Sequence, residues 1–152
     1  MVKMSAEEAE WLLGVSAADA MAHPARVREL LKGQCLVLLV TGGASGSAFS
    51  FLDVEGLVPA FKTQVVDTTG AGDSYMAAFL HSLLTHDIDW AKFGTEVALE
   101  KRSRLVREIA RFAAAAAALT CSGAGAIDPQ PSARAVNGFL LAHGGNYDLQ
   151  SN

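Results

Sequence analysis

Val65-Val66-Asp67-Thr68-Thr69-Gly70-Ala71-Gly72-Asp73 runs from a short β-forming stretch into residues of helical period. Gly70, Ala71 and Gly72 can present successive backbone N–H groups at a helix N-terminus. The helix dipole adds positive potential there, and such a nest takes an anion such as a phosphoryl group. Glycines at two of the three positions remove the Cβ atoms that would block close approach. Asp73 falls in the first helical turn, beside the anion site. A carboxylate repels phosphate, so its use at that point is to accept a proton from an attacking hydroxyl while the amides hold the transferring group. The plain alternative is a Gly-rich turn with an aspartate on the helix dipole. A bare Gly-x-Gly would favour that alternative; the whole seven-residue run, placed before a helix, favours the chemistry.

The segments on either side supply the architecture. Residues 63–66 read as a strand entering the run. After Asp73, Met76, Phe79, Leu80, Leu83 and Leu84 form one apolar helical stripe. Upstream, residues 36–40 are a continuous aliphatic run closed by Thr41-Gly42-Gly43, the pattern of a strand buried on both faces. Residues 47–54 read as a strand ending at the turn signal Glu55-Gly56, with a second short strand around Leu57 and Val58. Residues 5–13 predict a helix with Ser5 as N-cap, Glu8 at capping-box spacing and Gly14 as C-cap. Residues 17–31 predict a second helix, disturbed near its start by His23-Pro24. Downstream, 87–93 is a connector and 95–120 a long helix, charged in its first half and carrying Ala113 to Ala118 in its second. Residues 121–131 form a loop, 132–143 a last helix, and 144–152 a polar tail beyond a domain of residues 1–143. Alternating strands and helices indicate an α/β layered domain.

Composition narrows the function classes. The 152 residues carry 12 Lys and Arg against 16 Asp and Glu, a net charge of -4, which disfavours nucleic acid as a partner. An apolar share of 51% with 18% charged residues excludes a disordered chain. No stretch has the length and composition of a membrane span, and residues 1–10 lack the apolar core of a secretory signal. Cys35 and Cys121 stand far apart without metal spacing and read as two buried thiols in a reducing cytoplasm. The four histidines show no ligand spacing. Arg102, Arg104, Arg107 and Arg111 read as a solvated helix face.

The Asp67–Asp73 run resembles the C-terminal signature of the ribokinase-like (PfkB) carbohydrate kinases. Other residues agree in order. Thr41-Gly42-Gly43-Ala44-Ser45-Gly46 looks like the family's Thr-x-Gly-x-x-Gly nucleotide loop, and Ser5-Ala6-Glu7-Glu8 like its Asn-x-x-Glu element with Ser5 in place of Asn. Gly123-Ala124 looks like the late Gly-Ala before the final helix. The resemblance implies Asp73 as catalytic base and the amides of Gly70, Ala71 and Gly72 as anion hole. It implies contacts from Thr41, Gly43, Gly46, Ser5 and Gly123 to ATP, and Glu8 ordering water around Mg²⁺. Asp67 and Thr69, with the carbonyls of Ala118, Cys121 and Gly123, would belong to a loop for a monovalent cation such as K⁺; Ile127 stands where some members offer a hydroxyl. Two alternatives stay open: Ser5 and Glu8 as a capping box only, and residues 41–46 as a plain strand-to-strand turn.

Family chains are about twice this length. The expectation is therefore a ribokinase-like layered sheet with flanking helices, C-terminal half only, without the N-terminal strands, the lid and most sugar contacts. It would be an ATP-dependent sugar kinase unit, with fructose as first acceptor from its likeness to fructokinase-like members, poorly active unless a missing half or second chain supplies the acceptor side. Open edges on such a half invite a homo-oligomer. A non-catalytic nucleotide-binding or assembly module is the rival.

Overall fold

The computed structural model describes residues 1–86 and 88–144. The expected tail at 144–152 lies outside these apart from Gly144. Four strands form one sheet in the order β1 (Val2–Ser5), β2 (Val37–Thr41), β3 (Ser47–Phe51), β4 (Val54–Val58). β1 and β2 are parallel, while β2–β3 and β3–β4 are antiparallel hairpins. The crossover between β1 and β2 carries α1 (Ala6–Leu13), α2 (Ala17–Ala22) and α3 (Pro24–Leu30). Then follow α4 (Ala71–Thr85), α5 (Trp90–Phe93), α6 (Leu99–Thr120) and α7 (Ala133–Ala142).

The sheet is covered on both faces, which makes three layers. On β2, Leu38 and Val40 point with Met4 and Ala48 into a core shared with α1–α3. Val37 and Leu39 point the other way, with Phe49 and Phe51, into a core shared with α4 and α6. This explains why residues 37–40 lack alternation, a strand between two helical layers needing apolar side chains at every position, whereas Leu36 lies before the strand and is exposed. β3 is buried at all five residues for the same reason. The alanine run lets α6 approach α4 closely: Ala113, Ala115, Ala116 and Ala118 are all buried. A third cluster joins α6 to α7 through Phe112, Val136 and Leu140.

Several elements depart from expectation. Residues 17–31 are two helices, because Pro24 lacks an N–H and starts α3 while His23 leaves helical geometry at φ -133° and ψ 59°. The β3–β4 turn falls at Leu52 and Asp53, with Leu52 at φ 53°, and not at Glu55-Gly56. Gly56 lies inside β4 opposite Phe49, whose ring would stand 2.7 Å from any Cβ there. The glycine answers a cross-strand aromatic, not a turn.

Residues 63–66 are not a strand. β-forming residues need a pairing neighbour, and the Val66 amide instead donates to the Cys121 carbonyl at 2.8 Å. The long helix begins at Leu99 instead of Thr95, and the 87–93 connector contains α5. On α4 the buried line is Tyr75, Phe79, Ser82 and Leu83, while Leu84 is exposed. The arginines of α6 are not simply solvated. Arg102 is buried and ion-paired with Asp53, Arg107 donates to the Leu57 carbonyl, and Arg111 lies over the Phe61 ring and donates to the His143 carbonyl. Both cysteines are free and half-buried rather than buried.

Candidate functional site

The C-terminal ends of the parallel strands β1 and β2 lie side by side, with Ser5 in register with Thr41. In open α/β sheets such ends border the ligand crevice. Lys3 of β1 reaches the start of α4: its Nζ lies 2.6 Å from where a Cβ on Gly72 would stand. Gly70 caps α4 at φ 78°, a left-handed geometry that glycine takes without strain. A Cβ at Gly70 would also crowd the Ala126 carbonyl oxygen at 3.0 Å. The backbone here is thus shaped for close approach twice over.

The turn before α4 is tied down by side chains. Asp67 Oδ1 accepts the Thr69 N–H at 2.9 Å and the Thr69 hydroxyl at 2.7 Å, and Oδ2 accepts the Gly125 N–H at 2.9 Å. The Thr69 hydroxyl first, then the Thr69 and Gly125 amides, hold the Asp67 carboxyl below the ordinary carboxylate range. Cys121 accepts from Val66 and Asp67 through its carbonyl, and burial first, then the Asp67 charge, raises its thiol pKa. Inside the fold, the Thr120 hydroxyl donates to Ser74 Oγ at 2.8 Å, joining the end of α6 to the first turn of α4. Asp73 is exposed, and no hydrogen bond or ion pair among the described residues engages its carboxylate. It is not locked to a lysine or arginine inside the fold.

The residues singled out in the sequence fall into three groups. Gly70, Ala71, Gly72 and Asp73 form the turn entering α4, backed by Asp67, Thr69, Cys121 and the loop at 123–126. Thr41, Gly43 and Gly46 bracket the β2–β3 connection, which is a strand-to-strand turn in geometry: the Gly42 N–H donates to the Gly46 carbonyl at 2.8 Å. Gly46 is at φ 91°, and a Cβ there would meet the Val58 carbonyl at 2.2 Å. Ser5 and Glu8 bond each other as a full capping box, the Ser5 N–H donating to Glu8 Oε2 and the Glu8 N–H to Ser5 Oγ. Among the described residues no hydrogen bond joins the 42–46 turn to the 70–73 turn. Gly123 packs on Pro129, and the Ser122 amide turns to the Leu119 carbonyl instead of that of Ala118. No cluster of three or more His, Cys, Asp or Glu that could hold a metal occurs among the described residues.

Residues 1–133 match the pfkB family of carbohydrate kinases. The chain belongs to this family. Fructokinase-1 of Zea mays is 34% identical over 132 residues, which cover 87% of this chain and 36% of that protein. Probable fructokinase-6, chloroplastic, of Arabidopsis thaliana is 40% identical over 115 residues, 76% of this chain and 27% of that one. The chain therefore spans about a third of the length of the curated relatives it matches. A crystal structure of fructokinase with bound ATP from Xylella fastidiosa superposes with a TM-score of 0.73 at 27% identity, over 93% of this chain and 42% of that one. Aminoimidazole riboside kinase from Salmonella enterica gives 0.67 at 28% identity, over 91% and 41%. The fold is thus ribokinase-like and, against these structures, partial.

Sequence reasoning missed Lys3, Ser74, Thr120, Gly125 and Ala126 around the turn entering α4. Lys3 was legible from β1 alternation, since Met4 beside it is apolar and core-facing. The others are small residues whose part is set by contact across long chain separations, which no local pattern carries.

Proposed function

We propose that this chain is the nucleotide-holding part of an ATP-dependent sugar kinase that passes the γ-phosphoryl of ATP to a sugar hydroxyl, with fructose the first acceptor to test. The observation that carries this reading is the free, exposed Asp73 carboxylate in the first turn of α4, one residue from the Gly72 amide. The fructokinase relatives and the ATP-bound fructokinase neighbour support it. In the reaction Asp73 takes the proton of the acceptor hydroxyl as the new O–P bond forms. The bond from the γ-phosphorus to the bridging oxygen breaks, and ADP leaves with that electron pair. The amides of Gly70 and Gly72 would face the non-bridging oxygens, where charge develops, joined by that of Ala71 once it leaves the Thr68 carbonyl to which it donates at 3.2 Å. Thr41, Gly43, Gly46 and Gly123 line the nucleotide's path, with Ser5 at the strand end.

Magnesium keeps several waters and binds through one or two carboxylates plus phosphates. Glu8 fits that use: Oε2 takes the Ser5 amide and Oε1 has no partner among the described residues. When bound, the ion would neutralise phosphate charge, and Glu8 would hold it through water. A potassium ion at the 67–73 loop would share Asp67 Oδ2 with the Gly125 N–H and the Cys121 carbonyl with the Val66 N–H, so its test is a comparison of nucleotide affinity in K⁺ and Na⁺. No helix among the described residues is long and apolar enough to cross a membrane. Free half-buried cysteines support a reducing, cytoplasmic setting.

The chain spans about a third of its relatives, and positioning supplies much of phosphoryl-transfer catalysis, so we assign the acceptor side to a segment outside this chain. The experiment mixes the chain with the part of Zea mays fructokinase-1 outside the matched region and follows ADP release with fructose, ribose, 2-keto-3-deoxygluconate and nucleosides. Transfer is expected only in the mixture. Asp73→Asn is expected to lower it about 10²–10⁴-fold with ATP binding unchanged. ATP binding without transfer in the mixture would support instead a non-catalytic nucleotide or assembly module, the reading favoured by the short span.

A further inference from the structure

We propose that Tyr75 is a positioning residue of this site, its hydroxyl joining that of Ser47 in the core to set the spacing between the turn entering α4 and the turn between β2 and β3. This rests on the nucleotide reading above and gives its two turns a link. Ser47 opens β3 directly after Gly46, in register with Thr41. Side chains alternate along a strand. Phe49 and Phe51 lie in the core shared with α4 and α6, so Ser47 faces that core too. Tyr75 enters the same core from α4, just after Asp73 and Ser74, with its ring stacked on Phe79 at 6.4 Å between centroids. Tyr75 is 2% and Ser47 3% exposed.

Both hydroxyls are buried, and neither has a hydrogen-bond partner among the described residues. Burial pushes the Tyr75 phenol up to about 12, and the Ser47 hydroxyl is the group that pulls against that shift; the two stand face to face, short of a bond. A phenylalanine would fill the same space without the cost of burying an unpaired O–H. The phenol oxygen therefore points to a second arrangement, in which the pair closes. The first turn of α4 is already braced against α6 by the bond between Thr120 and Ser74 at 2.8 Å. No hydrogen bond among the described residues braces it against the 42–46 turn. Of the two turns, the one between β2 and β3 is thus the one to move. A triphosphate spanning both draws it toward α4, and the Tyr75 O–H then donates to Ser47 Oγ. A bond made only in the bound arrangement adds to the affinity of the ligand that selects it.

The test uses the purified 152-residue chain, with ATP and adenosine as probes in calorimetric titrations. Tyr75→Phe is expected to weaken ATP binding about fivefold, the scale of one neutral hydrogen bond. Adenosine binding stays unchanged, because a ligand without phosphates does not span the two turns. Ser47→Ala is expected to do the same, and the double variant to bind ATP within about twofold of either single variant, as for two members of one bond. In the nucleotide-free chain Tyr75→Phe is expected to leave the urea midpoint unchanged or to raise it, since the bond is not yet made. Saturating ATP is expected to bring up a slowly exchanging Tyr75 hydroxyl proton in the NMR spectrum, with a cross-peak to the Ser47 methylene. The assignment of Tyr75 is overturned, and the nucleotide reading stands, if Tyr75→Phe binds ATP as the parent does or if its loss adds in full to that of Ser47→Ala. The same holds if Tyr75→Phe lowers the urea midpoint of the free chain and weakens both ligands alike, the mark of a merely structural hydroxyl. A parent chain that binds no ATP at millimolar concentration overturns both.

Discussion

At the scale of single residues, Asp67 shows how one carboxylate can fix a loop. Its two oxygens collect three donors, two from Thr69 and one from Gly125, 58 positions along the chain. These bonds favour the charged form, so its pKa in the folded chain lies below that in the unfolded chain. A group of that kind contributes stability at pH values above its unfolded pKa, about 4. The contribution is lost as pH falls through the lower folded value. Asp67→Asn keeps the shape and removes the charge. It is expected to be less stable than the parent at pH 7, with the gap closing as pH falls below the ordinary aspartate range and the folded carboxylate is protonated. Urea melts at a series of pH values check this; a gap that stays constant into acid would show that the charge contributes nothing. The seven-residue run itself was legible because its glycines and acids are local. What fills Asp67 was half legible: Thr69 stands two residues on, while Gly125 needs the fold.

Among elements, α6 is the one whose role the sequence concealed. Its arginines carry the spacing of a solvated face, yet three of the four bind backbone, ring or carboxylate elsewhere. The reason is length. A guanidinium can leave an exposed helix edge and cap groups on a neighbouring strand, so charge pattern alone does not distinguish the two uses. The same limit explains the false strand at 63–66, where residue type was right and the pairing partner absent. Aliphatic continuity in 36–40 was decisive, because only a strand flanked by two helical layers wants it.

The Arg102–Asp53 pair pins α6 to the β3–β4 turn, and Arg102 Nε is buried with no partner. Removing Asp53 leaves a buried cation poorly satisfied. Asp53→Ala is expected to cost about 1–3 kcal/mol, at the lower end because the aspartate itself is half exposed. Denaturant midpoints measure it. Arg102→Met, which removes the charge along with its need for a partner, is expected to cost less than Asp53→Ala in the same assay.

For the whole molecule, the decisive feature is an open sheet. β1 has β2 on one side and, among the described residues, nothing on the other. Trp11 is 84% and Ile127 83% exposed, in a chain whose relatives run about three times as long. An unpaired edge of this kind templates further strands. The same edge carries Lys3 and Ser5, so whatever covers it also bears on the proposed nucleotide site. The chain alone is therefore expected to associate with itself, its light-scattering mass rising with concentration. With the remaining segment of Zea mays fructokinase-1 present, it should settle to a one-to-one complex, and ATP affinity should rise in step with complex formation. Covering the edge would pair β1 on both sides and brace the strand end where Ser5 stands in register with Thr41. A chain that stays monomeric at every concentration, with ATP affinity indifferent to the added segment, would separate the sheet edge from the site and remove this link.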